Sequence, residues 1–348
     1  MSRALAGLLA TILTGAAFAQ EPAPGPLPAG NQELTLEHGG RSRWAVVHVP
    51  PAAARGVGAS APAPDGTARA ALPVLLVFHG GGGEPLGMQK HAAGLDGLAD
   101  KEGFLVVYPA GTGAFERRLL TWNAGSCCGA AARDGVDDVG FVVALLELLA
   151  RRAPVDPTRV YATGLSNGAM MSYRLAVDCS ERIAAIAPVA GAMVAVLPER
   201  PGRPVPVIHF HSVDDPRALW AGGLGPPFPL TNQRVHHPPV EKTIAWWVEA
   251  NGCPPVPETG PAQSGPPGSP SAAHTARPLR WGPGRDGAEV VLWKLTGAGH
   301  VWPGGAAYAP ERLVGPPTQA VDATTEMWTF LRRFRRADAP PLVRPGRG

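Results

Sequence analysis

Between residues 72 and 296 the chain gathers its apolar residues into short unbroken runs instead of alternating them with polar ones. Leu72-Pro-Val-Leu-Leu-Val-Phe78 and Phe104-Leu-Val-Val-Tyr108 carry no charge on either face, which predicts parallel strands buried on both sides. Further strands are predicted around Val160, over residues 183–189 and 205–211, and last over residues 289–294. Helical spacing fills the intervals. It runs through residues 88–101, through residues 139–152 with Asp137 or Asp138 as the cap, through the segment after Ser166, and through residues 321–336. An early strand, Arg43-Trp-Ala-Val-Val-His-Val-Pro50, alternates. Strands that trade places with helices predict an α/β fold with a doubly wound, mostly parallel sheet. Residues 51–67 read as a low-complexity Pro/Ala/Gly loop. Residues 216–240 and 253–286 read as loop insertions, because neither has enough periodic apolar positions for a core of its own.

The ends are different in kind. Arg3, the apolar residues 4–17 and the small-residue site Ala17-Phe18-Ala19 predict a signal peptide over residues 1–19. A linker over residues 20–32, one domain over residues 33–336 and a disordered Pro/Arg-rich tail over residues 337–348 complete the predicted organisation. The apolar run is too short to span a bilayer and no later run is longer, so export to the periplasm or beyond is expected, with no membrane partner. Net charge is only +3, and the cluster Arg332-Arg333-Phe334-Arg335-Arg336 reads as a solvated helix end, so no nucleic-acid partner is expected. Four cysteines in an exported chain predict disulfides. A bond between the adjacent Cys127 and Cys128 would be strained, so the expectation joins one or both to Cys179 or Cys253. No histidine stands at ligand spacing from them, and no metal is expected.

Chemistry enters at Val160-Tyr-Ala-Thr-Gly-Leu-Ser-Asn-Gly-Ala-Met-Met171. A β-branched run, Gly164-Leu165-Ser166-Asn167-Gly168 and a helix-capable segment give the strand–turn–helix context of a nucleophile elbow. There the serine accepts strained dihedrals, and the flanking glycines keep side chains out of the strand–helix contact. Ser166 is the candidate nucleophile, and the amide of Asn167 is a candidate oxyanion donor.

A serine hydroxyl needs a base, and the base needs an acid to fix its tautomer. In the α/β-hydrolase fold the chain order is Ser, then Asp or Glu, then His. His209 and His211 lie in a strand and read as core histidines. His236, His237 and His274 lie in the insertions. His300, in Thr296-Gly-Ala-Gly-His-Val-Trp-Pro-Gly304, follows the last strand on a glycine-rich loop and is the candidate base. Val213-Asp214-Asp215-Pro216 follows the preceding strand, and the residues alone leave Asp214 and Asp215 equal as the acid. A second oxyanion donor is expected from the loop His79-Gly80-Gly81-Gly82-Gly83. No Lys-Ser/Thr follows that loop, so it is not a phosphate cradle. The pair Asp137-Asp138 reads as a helix cap and a buried structural contact.

These segments resemble the esterase/polyhydroxybutyrate depolymerase family, which includes feruloyl and acetylxylan esterases. The resemblance rests on Tyr108-Pro-Ala-Gly111, Trp122-Asn-Ala-Gly125 with Cys127-Cys128-Gly129, Val136-Asp-Asp-Val-Gly-Phe141 and Val155-Asp-Pro-Thr-Arg-Val-Tyr161. It continues through the Ser166 segment, Ile186-Ala-Pro-Val-Ala-Gly191 and Gly297-Ala-Gly-His-Val-Trp-Pro-Gly304, covering roughly residues 33–336. It implies an α/β-hydrolase domain that cleaves carboxylic esters without a cofactor, with Ser166 as nucleophile and His300 as base. The family's His-Gly-x-x-Asp pattern aligns with His211-Ser-Val-Asp-Asp215 and favours Asp215. Where the family often reads His-Gly-Cys this chain departs with His79-Gly80-Gly81, and Gly81 is the candidate second donor. Where the family has Val-Pro-Tyr after the acid, this chain has Arg217-Ala-Leu-Trp220. Trp122, Trp302 and Trp220 are candidate substrate-binding aromatics, with core packing as the alternative. The short tail favours soluble esters: hydroxybutyrate oligomers, or feruloyl and acetyl esters of plant polysaccharide. Two rivals are an exported serine peptidase of the same fold and a secreted carbohydrate-binding protein on an inactive hydrolase scaffold. An intact Ser, Asp and His in order argues against the second.

Overall fold

The computed structural model describes residues 25–54, 71–92, 94–194, 200–227 and 234–343. The expected signal peptide and the linker as far as residue 24 lie outside them, as does most of the low-complexity loop. Thirteen strands are present among the described residues: β1 (Gly30–His38), β2 (Arg41–Val49), β3 (Leu72–Phe78), β4 (Leu105–Pro109), β5 (Val155–Leu165), β6 (Ala185–Val189), β7 (Val207–Ser212), β8 (Gly223–Leu224), β9 (His236–His237), β10 (Glu258–Thr259), β11 (Gln263–Ser264), β12 (Thr275–Trp281) and β13 (Val290–Thr296). The main sheet runs β1-β2-β4-β3-β5-β6-β7-β13-β12-β10, with β11 also on β12. Its centre, from β4 to β13, is parallel, and both flanks are antiparallel. This is the α/β-hydrolase fold.

The unbroken apolar runs become the middle of that sheet because each residue meets a core whichever way it points. Along β3, Val74, Leu76 and Phe78 pack with the helices Asp138–Arg152, Asn167–Asp178 and Val240–Ala250. Leu75 and Val77 face the opposite layer, with Pro85–His91, Leu95–Glu102 and Ala323–Leu331. Burying each such side chain stabilises the fold by about 1.5–3 kcal/mol.

Several boundaries differ from the sequence reading. The domain begins with a hairpin, since β1 pairs with β2 through Gly39 and Gly40, both at positive φ (58° and 70°), as tight hairpin turns require. Leu27, in the expected linker, is buried, and its amide donates to the Arg152 carbonyl. The helical stretch over residues 88–101 is two helices, broken where Gly94 adopts φ 74°. The segment 253–286 is more than a loop insertion, because β12 lies along β13 and extends the sheet. The helix Val240–Ala250, absent from the sequence reading, buries Val240, Ile244, Trp247 and Val248 on one stripe. The last helix is Ala323–Leu331, capped by Asp322, whose carboxylate accepts from the Thr324 amide at 2.9 Å. Beyond it, Arg336 is buried and its amide donates to the Thr158 carbonyl, so the arginine cluster is not wholly a solvated end. Leu342 is buried in the core, so the expected tail is packed at that point.

Candidate active site

Four chain segments leave the carboxyl ends of neighbouring strands and meet above the sheet. The first follows β5. Ser166 has φ 58° and ψ −117°, and its amide donates to the Val189 carbonyl while its carbonyl accepts from Met170. The glycines on either side are demanded by crowding. A Cβ on Gly164 would lie 2.6 Å from the Phe78 carbonyl oxygen and from the Gly168 carbonyl carbon, and one on Gly168 would drive still closer to Phe78. The elbow can therefore bring the helix Asn167–Asp178 this close to β3 only with glycine at both positions.

The second segment follows β3. His79 accepts from the Gly111 amide at Nε2 (3.0 Å), which leaves its proton on Nδ1 to donate to the Gly80 carbonyl (2.8 Å). Burial pushes its pKa down to about 4, against the Gly80 bond that favours the charged form, so His79 is a neutral clamp on the glycine loop. The Gly82 and Gly83 amides are engaged by Leu120 and Gly80. Among the described residues neither the Gly81 amide nor the Asn167 amide, at the first position of its helix, has a partner.

The third and fourth segments follow β7 and β13. Asp215 Oδ1 accepts from the amides of Arg217 (2.7 Å) and Ala218 (2.8 Å), and Oδ2 accepts from His300 Nδ1 at 2.7 Å. Burial would raise the Asp215 carboxyl, but His300, His211 and the Arg217 amide together outweigh it and hold the pKa below the usual carboxylate value. Asp214 points elsewhere, with Oδ2 accepting from the Gly297 amide at 2.7 Å. With Nδ1 bound to Asp215, His300 has Nε2 as its remaining nitrogen. His300 and Ser166 both line one cavity of about 390 Å³. Ser166 Oγ makes no hydrogen bond among the described residues, as is common before substrate tightens such a site.

Residues 60–219 match the sequence family described as Esterase PHB depolymerase. A protein described as an esterase, NocK, of Nocardia uniformis subsp. tsuyamanensis is 30% identical over 264 residues, 74% of this chain and 74% of its own length. The chain belongs to the esterase/polyhydroxybutyrate depolymerase family. Two fungal proteins are also similar over shorter spans. The bifunctional acetylxylan esterase/xylanase XynS20E of Neocallimastix patriciarum is 33% identical over 144 residues, 41% of this chain and 19% of that protein. Feruloyl esterase B of Piromyces equi is 29% identical over 188 residues, 51% of this chain and 31% of that protein. Like its relatives, this family member is a carboxylic ester hydrolase.

The structure places the two candidate substrate-binding indoles away from the cavity. Trp122 and Trp302 are buried and neither reaches the cavity. Trp122 Nε1 donates to the His79 carbonyl (3.0 Å) and Trp302 Nε1 to Thr324 Oγ1 (3.0 Å), so both are braces beneath the site. Trp220 is half-buried, with its ring beside His211. The cavity wall instead carries Arg217, Tyr308 and His237. Sequence reasoning set His237 aside as part of an insertion, and only the short β8–β9 pairing brings it inward. The cysteines also depart from expectation. Cys179 and Cys253 have no cysteine partner, and the sulfurs of Cys127 and Cys128 lie against each other, with Cys128 on the cavity wall. Asp137 caps its helix through the Gly140 amide, while Asp138 holds Arg43 (2.7 Å) and the Asn123 amide (2.8 Å).

Proposed function

We propose that this family member is an exported serine esterase working through Ser166, His300 and Asp215. Ser166 Oγ attacks the ester carbonyl carbon as His300 Nε2 takes its proton. The new oxyanion rests on the Asn167 and Gly81 amides, each such donor contributing about 3–4 kcal/mol to the transition state. The carbonyl carbon–alkoxy oxygen bond then breaks, and His300 returns the proton to the departing alcohol. Water repeats the sequence on the acyl-enzyme and frees the acid and Ser166. Asp215 keeps the His300 proton on Nδ1 in the resting enzyme and balances the imidazolium charge. No cofactor takes part.

The observation that carries this reading is the 2.7 Å contact of Asp215 with His300 Nδ1, on a histidine that shares a cavity with Ser166. A cavity of about 390 Å³ is at the small end for organic ligands. That supports small ester substrates: hydroxybutyrate-type oligomers, or acetyl and feruloyl esters like those named for the fungal relatives. The leader over residues 1–19 supports export, and the Cys127–Cys128 contact is read as a disulfide formed outside the cytoplasm. Turnover of p-nitrophenyl butyrate, methyl ferulate and a hydroxybutyrate trimer, with Ser166→Ala as control, tests the reaction and ranks the substrates. Fluorophosphonate labelling that survives Ser166→Ala overturns it.

A further inference from the structure

Three buried polar groups behind the site take no part in those steps. Tyr173 Oη lies 2.9 Å from His209 Nδ1, His209 Nε2 lies 3.0 Å from His211 Nδ1, and His211 Nε2 lies 2.7 Å from the Ala218 carbonyl. All four partners are buried, and burial drives both histidines toward the neutral form. Each imidazole then has one proton, and the carbonyl at the end can only accept. That fixes every proton in the row. His211 must carry its proton on Nε2, His209 must donate from Nε2 to His211 Nδ1, and the tyrosine must donate to His209 Nδ1.

The row ends where it matters. Ala218 is the residue whose amide donates to Asp215 Oδ1, and its carbonyl is the one held by His211. The same His211 Nε2 is 3.6 Å from Asp215 Oδ2, the oxygen bound to His300. At the other end, Tyr173 sits on the helix that begins directly after Ser166. The titratable neighbours of the row are Asp215, His300 and His237, and Lys294 lies over the Trp220 ring beside His211.

We infer that Tyr173, His209 and His211 form a one-way hydrogen-bonded relay that positions Asp215 by pinning the Asp215–Ala218 turn to the nucleophile helix. The relay rests on the proposed role of Asp215. It touches no substrate, so these are positioning residues. If Tyr173 loses its hydroxyl, the buried His209 Nδ1 is left without a donor and the row is cut from the nucleophile helix. If His211 loses its imidazole, the Ala218 carbonyl loses its donor and the turn is released from His209.

The test is steady-state hydrolysis of p-nitrophenyl butyrate across pH by Tyr173→Phe, His211→Leu and His211→Gln, beside Asp215→Asn, with melting temperatures for all. Tyr173→Phe and His211→Leu are expected to lower kcat about ten- to a hundredfold through misplacement of the acid, with KM nearly unchanged. They are also expected to move the acidic limb of the kcat/KM profile. His211→Gln, whose amide can donate to Ala218 and accept from His209, is expected to recover most of the loss. Wild-type kcat and an unmoved limb in Tyr173→Phe and His211→Leu, with Asp215→Asn inactive, overturn the relay and leave the esterase reading standing. Equal losses in His211→Gln and His211→Leu with the limb unmoved mean packing alone, which also overturns it. Full activity in Asp215→Asn overturns the relay and the triad together. Should His211→Leu not fold, Tyr173→Phe and His211→Gln decide.

Discussion

The side chain of Asn167 holds both main-chain groups of Trp122, accepting from its amide at 2.7 Å and donating to its carbonyl at 3.2 Å. The residue after Ser166 thus ties the elbow to the segment whose indole supports His79. All three groups are buried, so truncating Asn167 strands a donor and an acceptor away from water. Asn167→Ala is expected to destabilise the fold by about 2–3 kcal/mol while keeping the main-chain amide at position 167 that the proposed reaction uses. Urea unfolding measures this, and a change under about 0.5 kcal/mol, the range of ordinary surface substitutions, would show the contact to be idle.

Gly168 and Gly97 are both helical glycines, with opposite surroundings. A Cβ at Gly168 collides with the Phe78 main chain, whereas one at Gly97 meets nothing within 4 Å. Gly168→Ala is expected to cost about 3 kcal/mol or more by forcing β3 and the elbow apart, with loss of activity. Gly97→Ala is expected to stabilise by about 0.5–1 kcal/mol, because alanine loses less backbone entropy in a helix. Thermal melts of the two variants, read side by side, check both signs.

Elements buried on both faces of the sheet were legible because an unbroken run such as Leu72–Phe78 has few other fates. So was the strained serine, since only glycines at positions 164 and 168 clear the Phe78 main chain. The edge was harder to read. In β1 only Leu34 is buried, so its residues give little hydrophobic signal, and the Gly39-Gly40 turn was the better clue. The Val240–Ala250 stripe has helical spacing and could have been found from Ile244, Trp247 and Val248. The ambiguity of Trp122 and Trp302 has a physical cause too. An indole beside a catalytic motif serves equally well as substrate wall or as brace, and only the partner of its N–H tells them apart. The two equal carboxylates, Asp214 and Asp215, take different groups of one loop, the Gly297 amide and the His300 ring, through a difference of one residue in a turn, which no composition rule resolves.

The buried histidines make the fold sensitive to acid. His79 has its pKa pushed from 6.5 down to about 4, so above pH 6.5 both folded and unfolded chains hold it neutral. As pH falls below 6.5 the unfolded chain takes up a proton that the folded one refuses, and stability drops until about pH 4. The full loss from His79 is about 3 kcal/mol. His209 and His211 are shifted in the same direction. The depressed Asp215 carboxyl adds a loss at lower pH, as its folded-state charge is titrated away. Urea unfolding at pH 7 and pH 5 is expected to show a clear decrease, and His79→Gln a shallower one. Equal stability at the two pH values would mean that these histidines are charged when folded.

Cysteine chemistry gives an independent check on the site wall. Burial, then Glu181 and Asp178, push the Cys179 thiol up to about 12, and burial also raises Cys253. Neither should react readily with Ellman's reagent in the native protein near neutral pH, because the thiolate is the nucleophile. After denaturation without reductant, two thiols are expected, from Cys179 and Cys253. Four would mean that Cys127 and Cys128 are reduced, and none would restore the long-range pairings that the sequence suggested.

Asp214 and Asp215 offer the sharpest comparison, since they are adjacent and differ only in what they hold. Asp214 Oδ2 accepts from the Gly297 amide near the surface, on the loop that leads to His300. An asparagine there can still present its amide oxygen to that N–H, so Asp214→Asn is expected to keep kcat within about threefold and stability within about 1 kcal/mol. Asp215 Oδ2 faces His300 Nδ1 from a buried position. In Asp215→Asn the amide can turn its NH₂ toward the imidazole, which fixes the tautomer with the proton on Nε2 and leaves no base for Ser166. A loss of kcat of about 10³–10⁴ is expected, with the variant still folded and KM little changed. Measured on p-nitrophenyl butyrate, the ratio of the two activities assigns the acid. Comparable activity in the two variants would remove Asp215 from the mechanism, and a larger loss in Asp214→Asn would transfer the role to its neighbour.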